Sequence, residues 1–249
     1  MLKVSHEYCS CLSSEIRAAL CEIIDEAFDT VSGAEPVVDS YRASVEQIAL
    51  VWSGSRLVGF QYFQTFDMHG VRVCHLSLAG RRQSAGVSGM QRAIGTSLVL
   101  RQVGLWRLFR PFAFAGVYNH PRTYCNLQAL GGRVLPNVLR PAAMNDRDRR
   151  LYLGVSRQLG IAGNMDPETG LITGRAESVG VRIRPSEDDG RVGSVHEAFM
   201  RYISHDCNTG VFVLAVSSIA RTVPHFVLQR FRRRKLKATS GEKLSGACE

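Results

Sequence analysis

Val71-Arg-Val-Cys-His75-Leu-Ser-Leu-Ala79-Gly80-Arg-Arg-Gln83-Ser-Ala-Gly86-Val-Ser-Gly89-Met90 decides how this chain is read. Val71 to Ala79 has strand composition, and a period of two sets Val73, His75, Ser77 and Ala79 on one face. Gly80 to Gly89 is glycine-rich and polar. Met90 to Val103 then has helix-forming composition with Met90, Ile94 and Leu98 in one row. Strand, glycine-rich loop and helix in that order make an anion cradle. The first-turn amides of the helix lack helical partners, its dipole is positive there, and Gly86 and Gly89 let the backbone come close to the anion. No Lys-Ser or Lys-Thr follows the glycines and G-x-G-x-x-G is missing, so the loop is neither a Walker loop nor a Rossmann turn.

Outward from this stretch, Gln47–Trp52 and Leu57–Phe66 read as a hairpin around Ser53-Gly54-Ser55-Arg56, with a further turn at Asp67–Gly70. Leu12, Ile16, Ala19, Leu20, Ile23, Ile24, Ala27 and Phe28 recur at steps of three and four and predict an amphipathic helix over 12–29. Downstream, Phe112–Tyr118 is a strand and Pro121–Leu130 a short helix, with Pro121 in its first turn and Gly131-Gly132 beyond its end. Turns are expected at Asp166–Gly170 and Asn208–Gly210, a helix around Val195–Ile203, and a last strand at Val211–Val216.

The chain has 249 residues, 45% apolar and 21% charged, enough to bury a sizeable core and too apolar for a disordered chain. Its net charge is +9, of which residues 230–249 carry +5. A modestly basic globule with a basic tail does not mark specific nucleic-acid binding. Seven scattered cysteines without a signal-peptide pattern point to a reducing cytoplasm. His6, Cys9, Cys11 and Cys21 come nearest to a metal cluster, but no second pair of ligands follows and no metal is expected. No apolar run reaches the 18 or so residues of a membrane-spanning helix.

The order helix, hairpin, strand, glycine-rich loop, helix, strand, helix resembles the GCN5-related N-acetyltransferases, the GNAT acyl-coenzyme A N-acyltransferases. In that family the loop reads Arg or Gln, two residues, Gly, one residue, Gly or Ala. Gln83-Ser-Ala-Gly86-Val-Ser88 matches with serine in the last place, and Tyr118-Asn119 followed by a helix ending at Gly131-Gly132 is similar to the family's next strand and helix. The resemblance spans about residues 10–140. It implies an α/β (α+β) fold with a mixed, mostly antiparallel sheet flanked by helices. The implied co-substrate is acetyl-coenzyme A or a longer acyl-coenzyme A, whose acyl group passes to an amine by direct attack.

By the same resemblance, Gln83, Ser84, Ala85, Gly86, Val87, Ser88 and Gly89 would hold the coenzyme's pyrophosphate. The strand edge at Ser77, Leu78 and Ala79 would pair with the pantetheine arm, and Asn119 would contact that arm. The family's acid is a tyrosine seven residues after the Asn. That place holds Asn126 here, and Tyr124 two residues before it is the candidate. The acceptor amine must arrive as a free base, which a group titrating near neutrality assists. His75 is the candidate.

Residues 1–145 are read as the acyl-coenzyme A binding core, 146–229 as an extension completing the fold or covering the acceptor site, and 230–249 as a disordered basic tail. Arg140, Arg147, Arg149 and Arg150 form a basic cluster suited to an acidic acceptor or the coenzyme's ribose phosphate. A small-molecule or lipid-like amine is the expected acceptor, and the tail would allow contact with an anionic membrane surface. Two rival readings stay open: a GNAT-like binding or regulatory module without turnover, and a membrane-peripheral protein working through its tail.

Overall fold

The structure, a computed structural model, describes residues 2–30, 32–83, 89–103, 110–118, 121–128, 132–137, 144–173, 181–183, 197 and 209–218. Its elements are β1 (Leu2–Tyr8), α1 (Ser14–Ala27), β2 (Phe28–Thr30), α2 (Ala34–Ser44), β3 (Gln47–Ser53), β4 (Arg56–Met68), β5 (Val71–Arg81) and α3 (Met90–Leu98). There follow β6 (Pro111–Tyr118), α4 (Pro121–Gln128), β7 (Arg133–Leu135), α5 (Asp146–Gln158), β8 (Leu171–Ile172), β9 (Val181–Ile183) and β10 (Gly210–Ser218).

The strands form a mixed sheet in the order β1-β3-β4-β5-β6-β10-β7, with β8 beside β10. Every pairing is antiparallel except β5 with β6. The chain thus has the α/β fold in which a mixed, mostly antiparallel sheet is flanked by helices. On one face, α3 and α4 bury Met90, Ile94, Leu98, Tyr124 and Leu127 against Ala49, Val51, Phe63, Phe114 and Val213. On the other, α1 and α2 cover Ile48, Leu50, Phe60 and Tyr62, while α5 covers Val73, Ala115, Phe212 and Leu214. These faces are called the α3 face and the α1 face below.

Local chemistry sets the helix starts. Ser13 caps α1, its hydroxyl oxygen accepting from the Ile16 amide at 3.3 Å, and Leu20, Ile23 and Ile24 form the buried row. Asn145 caps α5 through the Asp148 amide at 2.9 Å. The helix expected over 12–29 is α1, with Phe28 leaving it to begin β2. The helix expected over 90–103 is α3 followed by a π-helical turn at Val99–Val103. β1, β2, α2, β7, α5, β8 and β9 had no counterpart in the sequence reading. The helix expected around Val195–Ile203 lies outside the described residues apart from Glu197.

The alternation expected along β5 is corrected by a bulge. Gln61 faces Ala79, yet Phe63 faces Leu76, so β5 carries an extra residue between them. Val73 keeps to the α1 face before the bulge, and Leu78 and Gly80 take that face after it. Ala79, opposite Gln61, therefore turns to the α3 face and does not share a face with Val73 and His75.

Of the described residues after 145, β10 and β8 belong to the same sheet, with β10 between β6 and β7. α5 packs on that sheet through Leu151, Tyr152 and Val155, and β9 forms a separate two-stranded sheet with β2, just after α1.

Candidate active site

β5 and β6 run parallel and are paired from Arg72–Phe112 to His75–Ala115. Beyond that, β5 continues to Arg81 along β4, and β6 continues to Tyr118 along β10, with no ladder between them. The two strands diverge and leave a notch whose apex is at Leu76 and Gly116. Glycine is required there, because a Cβ on Gly116 would stand 2.9 Å from the Leu76 carbonyl oxygen and 2.5 Å from the Tyr118 hydroxyl. The Tyr118 ring folds back over Gly116, so its hydroxyl is at the apex on the α3 face.

The α3 face of the notch carries the start of α3. Gly89 caps the helix in the left-handed region, φ 87°, and its carbonyl accepts the first helical bond from the Ala93 amide at 3.0 Å. The amides of Met90 and Arg92 precede that bond, in the helix turn whose N–H groups lie outside the i to i−4 ladder. Met90 seats the helix: a Cβ on Gly59 would fall 2.1 Å from its sulfur, so the bare backbone of β4 is what receives it. At the other end of the loop, Arg82 pairs with Glu22 and Glu26 of α1 and donates from Nε to the Leu57 carbonyl at 3.1 Å. Gln83 is exposed beside it. Ser84, Ala85, Gly86, Val87 and Ser88, expected to bind pyrophosphate, lie outside the described residues, as does Asn119.

On the α1 face, His75 stands at the last rung of the β5–β6 ladder. Its Nδ1 is 3.3 Å from Ser77 Oγ and 3.4 Å from the side-chain nitrogen of Gln64, the residue opposite it on β4. The ring is half-buried, held on its Nδ1 side by two polar groups. Leu78 puts its side chain into the core, and its carbonyl accepts from Gln61 Nε2 at 3.3 Å. Among the Ser77, Leu78 and Ala79 expected on the coenzyme side, Ser77 and Ala79 thus keep side chains outside that core.

Tyr124 is corrected. It is fully buried in the α3-face core and its hydroxyl donates to the Pro136 carbonyl at 3.3 Å. Pro136 follows β7, which lies beyond β10, so the hydroxyl is directed about two strand spacings, roughly 10 Å, from β6 and away from the notch. For the arginine cluster, only the expectation that it holds the coenzyme's ribose phosphate is corrected, not the expectation that it meets an acidic acceptor. Arg147, Arg149 and Arg150 are on α5, which covers the α1 face, opposite α3. Arg147 instead lines a small cavity of about 30 Å³ with His69, Arg133 and Asp148. Arg140 lies outside the described residues.

Gln64 and Tyr118 were not singled out in the sequence. The signal for Gln64 is its register opposite His75. For Tyr118 it is a step of two from Gly116, which places a ring over a residue without a side chain.

No family model matches the chain, and no curated protein sequence matches it significantly. In fold the chain is similar to acetyltransferases of the GNAT family. A GNAT-family acetyltransferase from Elizabethkingia anophelis, solved with acetyl-CoA bound, is 8% identical over 87% of this chain and 97% of its own, with a TM-score of 0.42. An acetyltransferase from Bacillus subtilis in complex with CoA is 11% identical over 86% and 97%, with a TM-score of 0.41. The ribosomal-protein-S18-alanine N-acetyltransferase of Escherichia coli is 13% identical over 53% and 78%, with a TM-score of 0.39. Among the described residues, no helix is long and apolar enough to cross a membrane.

Proposed function

We propose that this chain is an acyl-coenzyme A dependent N-acyltransferase of the GNAT type. The observation that carries the proposal is the notch between β5 and β6, open to a helix N-terminus on one face and to a held imidazole on the other. Backbone edges freed by the divergence, at Ser77 and Ala79 on β5, suit the amide groups of a pantetheine arm, and the loop from Gln83 to Gly89 with the first amides of α3 suits its pyrophosphate. The thioester carbonyl then lies at the apex, and an amine approaches from the α1 face.

The amine nitrogen forms a bond to the thioester carbon, the carbon–sulfur bond breaks, and the amine gives up one proton. His75 takes that proton at Nε2. This requires Nδ1 to carry its own hydrogen and give it to Ser77 Oγ, with the Gln64 amide turned so that its oxygen, not its nitrogen, faces the ring. Tyr118 replaces Tyr124 as the proton donor to the departing thiolate, because its hydroxyl is at the apex. No metal and no covalent enzyme intermediate enters the scheme.

Calorimetric titration with coenzyme A, acetyl-coenzyme A and a long-chain acyl-coenzyme A is the first test. Micromolar binding supports the proposal, the order of affinities gives the acyl length, and absence of binding to all three overturns it. Thiol release with a panel of amines is then measured for the wild type and for His75→Ala and Tyr118→Phe. His75→Ala lowers kcat and removes the acid limb of its pH profile, while Tyr118→Phe lowers kcat with KM little changed. The alternative of a coenzyme-binding module without turnover is favoured by the burial of Tyr124. It is the reading if coenzyme binds and no amine is acylated. Membrane contact through residues 230–249, which lie outside the described residues, is tested by liposome binding with and without them.

A further inference from the structure

We infer that two copies of this chain join along β1, antiparallel, about a two-fold axis through Ser5. β1 makes an unbroken ladder with β3 from Leu2–Ser53 to Tyr8–Gln47, and among the described residues its other edge has no partner. Edge strands are ordinarily guarded against pairing by proline, bulges or charged side chains, lysine above all, and the single lysine of β1 is one that a second copy can match with Glu7. Leu2-Lys-Val-Ser-His-Glu-Tyr8 has no proline and no glycine, and its ladder has no bulge.

The sequence of β1 is complementary to itself about Ser5. Antiparallel pairing on that axis sets Lys3 against Glu7 of the second copy and Glu7 against its Lys3. Leu2 faces Tyr8, Val4 faces His6, and Ser5 faces Ser5. The faces also match. Ser5 accepts a hydrogen bond from Trp52 Nε1 at 2.9 Å on the α1 face, so Lys3 and Glu7 share that face. Leu2 and Val4 pack toward the α3-face core, with His6 and Tyr8 in the same alternation. A two-fold axis normal to the sheet keeps each set on its own face and continues the sheet across both copies. Neither Lys3 nor Glu7 has an ion-pair partner among the described residues, so each is available to the other copy.

Two exposed apolar side chains mark the same edge. Tyr8 and Leu100 are the large apolar residues that stand out as exposed among those described, at 56% and 53%. Leu100 is in the π-helical turn that runs past this edge. Ser97, just before the turn, is bonded to His6 at 2.8 Å, and Gln102 within it donates to Gln47, the partner of Tyr8, at 3.0 Å. Pairing with a second copy covers Tyr8 with Leu2 and brings Leu100 to the rim.

The full chain is examined by sedimentation equilibrium, with far-UV circular dichroism confirming that each variant is folded. The wild type is expected to be a dimer with a micromolar dissociation constant. Lys3→Glu and Glu7→Lys each place two pairs of like charges across the axis and weaken association about tenfold. An equimolar mixture of the two variants restores every pair as opposite charges and associates as the wild type does, and so does the double variant Lys3→Glu/Glu7→Lys. A monomer at all accessible concentrations overturns the inference. So does a dimer that Lys3→Glu and Glu7→Lys leave unchanged, since another surface then holds it.

Discussion

Tyr124 and Tyr118 differ in where the fold holds their hydroxyls. Both are aromatic hydroxyls near the end of β6, but one is spent on the Pro136 carbonyl inside the core and the other is folded over Gly116 at the notch. Tyr124→Phe is therefore expected to lower stability by about 1 kcal/mol, one neutral buried hydrogen bond, and to leave kcat within twofold of wild type. Denaturant titration and steady-state rates check the two halves separately. His6 provides a second residue-scale prediction. Burial, with Arg101 nearby, holds its pKa down from 6.5 to about 4, so it folds as the neutral ring bonded to Ser97 and set edge-on to Phe63. Between those values the unfolded chain binds more protons than the folded one. Stability present above pH 6.5 is lost as the pH falls toward 4, on the order of 1–2 kcal/mol after allowing for the ring's partial exposure. Melting temperatures from pH 7 to pH 4 should show this slope, reduced in His6→Leu. The place of His75, on the strand that leads toward the glycine-rich stretch, was legible because that strand has a clear period of two up to it. Gln64 was not, because its relevance lies in strand register, which a one-dimensional pattern does not contain.

At the scale of elements, α3 is held by what β4 lacks. Gly59 has no side chain, and the Met90 sulfur occupies the space where one would be. Gly59→Leu must displace Met90 and with it the first turn of α3. Coenzyme A affinity is expected to fall at least tenfold, about 1.4 kcal/mol, while the far-UV circular dichroism spectrum is retained. Titration of the variant measures it, and unchanged affinity would separate the seat of α3 from the coenzyme site. The strands β3 to β6 and the order of loop and helix were legible, since their apolar periods are strong and glycines punctuate them. α5 was hidden by its charges. Asp-Arg-Asp-Arg-Arg opens it, and the buried row of Leu151, Tyr152 and Val155 is too short to show a period beside them. The β5 bulge was hidden for a different reason. Val73, Ser77 and Leu78 each suit either face, so nothing in their identities marks where the alternation inverts.

Across the whole molecule, β10 joins what the chain order separates. Val211, Val213 and Ala215 enter the core under α3 and α4, while Phe212, Leu214 and Val216 enter the core under α5. Two cores sharing one central strand should unfold together. In a Trp106→Phe background, fluorescence of Trp52 on β3 and far-UV circular dichroism are expected to give coincident urea transitions. Separate midpoints would show that residues 146–218 form a unit of their own. The same strand also fixes a timetable. Tyr118 meets Val211 across more than ninety positions of sequence, and every backbone group on that side of β6 waits for β10. A chain emerging from the ribosome has therefore released α1 to α5 and the β3–β4 hairpin long before the sheet can close. During that interval the outer edge of β6, with Phe112 and Phe114 beside it, is open to any passing strand, and a chaperone would have its longest hold on this protein there.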